Sequence, residues 1–129
     1  MIGDTEKITI NLGFVDLGQV DLLVQEGFYS NRTDFIRTAI RNQLILQADA
    51  VKQVVARKTL VLGIQQYSRR DLEAVQEAGQ KLRIQVLGLA SIAADVSPEL
   101  ADATIESIVV LGALRASPAV KAALAGRIR

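Results

Sequence analysis

Residues Lys7-Ile8-Thr9-Ile10-Asn11-Leu12 alternate strictly between polar and apolar side chains, ahead of two segments with helical periodicity. A chain built this way has few folds open to it. As a strand, the segment places Ile8, Ile10 and Leu12 on one face and Lys7, Thr9 and Asn11 on the other. A strand this short can neither pair its own backbone groups nor bury its apolar face. Because helices follow it directly, the simplest partner is the same segment of a second copy, giving a two-stranded antiparallel ribbon.

Leu17, Val20, Leu23 and Val24 recur at helical spacing behind a candidate cap at Asp16, and Gly27 supplies the stop. Ser30 and Asn31 then offer a second helix start, with Asp34 three residues beyond Asn31 in a capping-box-like arrangement. Phe35, Ile36, Ala39, Ile40 and Leu44 predict the buried stripe of this second helix. Arg37 and Arg41 lie off that stripe and read as a solvated face. The helix is expected to run on through Leu46 to Arg57, which contains neither Pro nor Gly.

A two-stranded ribbon fits the major groove of B-DNA, where each base pair presents its own donor and acceptor pattern. Lys7, Thr9 and Asn11, each present twice, form the exposed face of such a ribbon. Lys donates to guanine, Asn bonds adenine bidentately, and Thr meets base edges or a thymine methyl. At the start of the second helix, unbonded backbone N–H groups and the positive dipole end suit a phosphate near Ser30, Asn31 and Arg32.

The run Lys7-Ile-Thr-Ile-Asn-Leu12, followed by Glu26-Gly-Phe-Tyr-Ser-Asn-Arg-Thr-Asp-Phe-Ile-Arg37, resembles the CopG-like branch of the ribbon-helix-helix transcriptional regulators, the superfamily of the Arc and MetJ repressors. The resemblance spans about residues 6–47. It implies an intertwined dimer in which Lys7, Thr9 and Asn11 contact bases while Ser30, Asn31 and Arg32 hold the DNA backbone. The chain departs from the pattern at Gly13-Phe14-Val15, where members often carry Pro and acidic residues.

Charge lends this reading no support. The 129-residue chain has a net charge of +1, and up to Arg57 six basic residues face seven acidic ones. The absence of Cys and His argues against disulfides, thiolate or imidazole metal sites and the common nucleophilic triads. No metal, cofactor or catalytic residue is therefore expected, and the chain reads as a binding protein and not an enzyme. The start Met1 to Lys7 lacks a signal-peptide core, and no apolar run approaches the ~18 residues of a membrane span, so a cytoplasmic setting is expected.

The second half repeats. Val61-Leu62-Gly63, Val86-Leu87-Gly88 and Val110-Leu111-Gly112 follow one another at 25 and 24 residues. Downstream of each, a Ser opens a helix-like run, at Ser68-Arg69-Arg70-Asp71, Ser97-Pro98-Glu99 and Ser117-Pro118-Ala119. Strands are expected at about Lys58–Gln66, Arg83–Ala93 and Ser107–Arg115, apolar enough to be buried on both faces of a parallel sheet. The glycines form no phosphate-binding fingerprint. The acidic residues of this half read as helix surface.

The expected fold class is α+β: a ribbon-helix-helix domain over residues 1–50, and a small α/β domain of about three β-α repeats over residues 51–129. The expected function is sequence-specific regulation of transcription, as a repressor, by a homodimer on double-stranded DNA. The C-terminal domain, with open sheet edges, is expected to join dimers into tetramers or larger assemblies. Two other readings stand beside this one: a DNA-binding antitoxin that holds a partner protein, and a regulator with an organic effector bound in its C-terminal half.

Overall fold

The computed structural model describes residues 5–129, so the first four residues of the expected N-terminal domain lie outside it. The described chain divides into two compact units, residues 5–54 and 55–129.

In the first unit, residues 5–13 form no regular element, and α1 (Phe14–Gln25) and α2 (Arg32–Leu46) follow. The expected Asp16 cap is corrected: Gly13 is the N-cap, its carbonyl accepting from Leu17 N–H at 3.0 Å, and Asp16 sits in the first turn. An acidic side chain there still favours the helix through the dipole. The predicted stop holds. Gly27, at φ 86°, lets Phe28 N–H reach Leu23 O and Gly27 N–H reach Val24 O, the paired closure that uses up the last carbonyls of a helix. Tyr29 and Phe35 then meet edge to face with centroids 5.0 Å apart, fixing the turn against α2.

Two further expectations change. The second helix does not run through to Arg57: it stops at Leu46, and α3 (Ala48–Lys58) follows a turn at Gln47. There the Gln47 N–H is shared between the Gln43 and Leu44 carbonyls, a tightening toward three residues per turn. The stripe of α2 is also not buried within one chain, since Ile40 is 47% and Leu44 57% exposed. Among the described residues of this unit no second layer covers it.

The second unit carries a parallel sheet of three strands in sequence order, β1 (Val61–Tyr67), β2 (Leu82–Ile92) and β3 (Ile105–Arg115). Helices α4 (Arg69–Glu77), α5 (Pro98–Thr104) and α6 (Pro118–Ala123) each follow a strand. Ser68, Ser97 and Ser117 cap them, with Pro98 and Pro118 in the first turn of the last two. The expected first strand starts too early: Lys58 is the last residue of α3, and Thr59 turns the chain into β1 at φ 51°.

The repeated triplets become rows of the sheet. Val86 pairs with Val61 and Val110, Leu87 with Leu62 and Leu111, and Gly88 with Gly63 and Gly112. All three glycines have positive φ (129°, 139° and 117°). A Cβ on Gly88 would strike the Gly63 carbonyl oxygen, and one on Gly112 the Gly88 carbonyl oxygen. At Gly88 and Gly112 only glycine fits, because each lies against the carbonyl of the preceding strand's glycine.

The core lies on one side. Alternate β2 residues Ile84, Val86, Ala90 and Ile92 pack with Leu72 of α4, Ala101 of α5, Ile105 and Ile108 of β3, and Val120 of α6. Here the expectation of strands buried on both faces is overturned. Helix α5 packs beside α4 and α6 on one face, and the opposite face keeps Leu62, Ile64 and Leu111 at 67%, 53% and 55% exposure. With the strands in sequence order, both crossovers and α6 use the same face, so this unit has no layer left for the other. One expected open edge is also partly covered, because Ile128 bridges to Ile108 along β3 and Arg129 N–H donates to Ile108 O.

Candidate nucleic-acid interface

The expected base-contacting residues Lys7, Thr9 and Asn11 lie in the segment before α1, all exposed. No strand among the described residues pairs with this segment. Its apolar face is open as well, with Ile8 72%, Ile10 53% and Leu12 40% exposed. Five other large apolar residues of residues 5–54 are more than two-thirds exposed, Phe14 at 92%, Val15 at 77%, Phe28 at 71%, Ile45 at 71% and Leu46 at 76%. Val20 is the only hydrophobic residue buried in this unit among the described residues. About fifty residues around one buried valine cannot offset the conformational entropy of ordering them.

The second group of expected residues surrounds the start of α2. Asn31, in an extended conformation (φ −166°, ψ 178°), caps the helix, its Oδ1 accepting from Asp34 N–H at 2.7 Å. Asp34 answers one residue further back than a capping box would place it, its Oδ2 accepting from Ser30 N–H at 3.0 Å and from Ser30 Oγ–H at 3.1 Å. The backbone N–H groups of Arg32 and Thr33 have no acceptor among the described residues. These two donors at a helix N-terminus, with the Asn31 side-chain amide alongside, can meet a phosphate, whereas both Ser30 donors are spent on Asp34.

Arg32 behaves differently from its expected part. Its Nε and Nη2 each donate to a carboxylate oxygen of Asp21 on α1, both at 2.8 Å. The Arg32 hydrogen bond is the main cause of an Asp21 pKa below the ordinary aspartate value, and the same contact raises that of Arg32. A bidentate pair of this kind fixes one planar group against another. Asp21 and the backbone of Thr33 are the members of the site that periodicity did not reveal. The pairing joins residues eleven apart across a helix, a turn and a helix start, and their mutual direction depends on the Gly27 closure. Arg37 and Arg41 are exposed on α2, the solvated face expected of them.

Among the described residues no cluster of His, Cys, Asp or Glu is suited to a metal ion, and no helix is long and apolar enough to cross a membrane. The model of the Ribbon-Helix-Helix transcriptional regulator family matches residues 3–121, a span that runs through both units as far as α6. No curated protein and no solved structure matches the chain.

Proposed function

The chain belongs to the Ribbon-Helix-Helix transcriptional regulator family, and from that premise we propose that it acts as a homodimeric repressor reading a short palindromic operator. Family membership supports DNA binding and dimerisation; the residue roles come from the geometry above. In this reading the segments Lys7–Leu12 of two copies pair antiparallel. Their apolar face covers the open faces of α1 and α2, and Lys7, Thr9 and Asn11 enter the major groove. The Arg32 and Thr33 N–H groups, with the Asn31 side-chain amide, clamp the flanking phosphates, and Ser30 acts by holding Asp34. The protein binds without catalysing, in the cytoplasm with its DNA, and the C-terminal unit joins dimers on adjacent sites.

One observation carries the reading: residues 5–54 bury Val20 alone while Ile8, Ile10 and Leu12 stand exposed in an alternating row. A second copy of the same segment supplies both the missing ladder and the missing core.

The test replaces Lys7, Thr9 and Asn11 together with Ala. Operator DNA is first selected from a random pool with the wild-type protein, and binding is then followed by fluorescence anisotropy. At about 1–3 kcal/mol for each bidentate base contact, the variant loses at least about 100-fold in specific affinity. Its weaker, sequence-independent binding persists, because the phosphate clamp is intact. Unchanged operator affinity in the triple variant would sink the proposal.

A further inference from the structure

The bare face of the second unit's sheet is the largest feature of the fold that the DNA-binding reading leaves unused. Two rows cross its three strands, Leu62-Leu87-Leu111 and Ile64-Leu89-Ala113. They contain no polar side chain. The row at the C-terminal end of the strands is polar, Gln66-Ser91-Arg115. At the other end Arg83 Nε donates to Glu106 Oε2 at 2.6 Å beside a hollow of about 400 Å³ that Gln85, Ser107 and Arg129 also line. An apolar centre bounded by polar ends is the anatomy of a protein–protein contact.

From this we infer that the bare face docks on the same face of a second copy, and that two such contacts join two DNA-binding dimers into a tetramer. The face is self-complementary. A two-fold axis along β2, between the stacked sheets, sets Leu87 and Leu89 against their own copies and exchanges the outer strands. Leu62 then meets the copy's Leu111, and bulky Ile64 meets the copy's small Ala113, so that side chains interdigitate across sheets about 10 Å apart. No unlike partner is needed to match the shape.

Size also selects this occupant. Two rows over three strands cover roughly 14 by 13 Å per copy at ordinary strand spacing and rise. A single pair of faces therefore buries on the order of 400 Å², less than half of the roughly 1,000 Å² that a stable contact between free partners needs. A separate protein would hold weakly. A dimer presents the face twice, and two pairs formed together approach that threshold, the second at the high effective concentration a tether provides.

The inference rests on the N-terminal pairing proposed above, and the test separates the two. Full-length protein is measured by light scattering coupled to gel filtration over a series of protein concentrations. Wild type is expected at the mass of four chains. Leu62→Glu with Leu111→Glu, both at exposed positions, is expected at two chains, with unchanged circular dichroism and unchanged binding to a single operator. Ile10→Asp addresses the N-terminal pairing instead, and an unaltered mass in that variant overturns the pairing, while the double variant still decides the sheet-face contact. A two-chain wild type, a four-chain double variant, or a double variant falling to single chains would each overturn the sheet-face contact.

Discussion

Arg32, the first residue of α2, is held by Asp21 of α1 through two hydrogen bonds of 2.8 Å. The guanidinium nearest the proposed phosphate-binding end of the helix is thereby occupied within the chain. Asp21→Ala releases it toward DNA. In a dimer this adds two cationic contacts, and at about 0.9 of slope per phosphate neutralised, the log affinity against log salt plot steepens by about 2. Anisotropy titrations on non-specific DNA at several salt concentrations check this, and an unchanged slope would mean that Arg32 cannot reach the backbone.

Acid stability follows from three carboxylates whose pKa values are lowered. Arg32 holds Asp21 down chiefly by its hydrogen bond, Ser68 N–H holds Asp71 down, and Arg83 holds Glu106 down. A group with a lowered folded pKa contributes stability that is complete above its ordinary value and is lost as pH falls through the folded value. The urea midpoint is therefore expected to be flat from about pH 6 to 9 and to drop below about pH 4, near the ordinary carboxylate range. All three side chains are exposed, so the drop is shallow and weakens in high salt.

The glycine column makes unequal demands on its members. Gly88→Ala and Gly112→Ala drive a methyl into a neighbouring carbonyl, whereas a Cβ on Gly63, on the edge strand, meets nothing. Gly63→Ala suffers only its positive φ, at about 1–3 kcal/mol. The other two add a backbone clash and are expected to lose more than about 3 kcal/mol. Urea unfolding of the three variants checks the order, and a Gly63 variant as unstable as Gly88→Ala would contradict it.

Thr59 closes α3 where glycine is the usual residue. Leu60 N–H reaches Val55 O and Thr59 N–H reaches Ala56 O around its φ of 51°. A β-branched side chain is strained there. Thr59→Gly is expected to raise stability by about 1 kcal/mol, read as a higher urea midpoint with an unchanged slope.

Ile10→Asp puts a charge on the face that a second copy covers in the proposed dimer. Since Val20 alone is buried in residues 5–54, losing the partner leaves this unit without a core. The expected result is loss of helical circular dichroism from α1 and α2 and at least about 100-fold weaker operator binding, equal to about 2.7 kcal/mol. The sheet unit, with its own core, keeps its unfolding transition.

Local rules were legible wherever the cause lay within a few residues. Gly27 stops α1, Ser68, Ser97 and Ser117 start the sheet-unit helices, and Asn31 caps α2, because each acts through a backbone group at most five residues away. The same rules misplaced the start of α1, since a glycine with an extended backbone can cap without a side chain. They also ran α2 through Gln47, where no residue type announces a break. The Asp21–Arg32 pair was hidden for another reason: its geometry exists only once the turn between the helices has closed.

The sequence by itself determined the polar–apolar alternation of residues 7–12, from which an outside partner strand is proposed, and the three-fold β-α repeat of the second half. Both follow from the periodicity of side chains along the backbone, which one chain carries in full. Tertiary structure decided what periodicity cannot express. The repeated glycines lie side by side in one column because parallel strands align at equal offsets. Strands that are mostly apolar are covered on one face only, because sequence-order connections place every helix on that side. Those two outcomes depend on how strands lie beside one another, and no single strand contains that information.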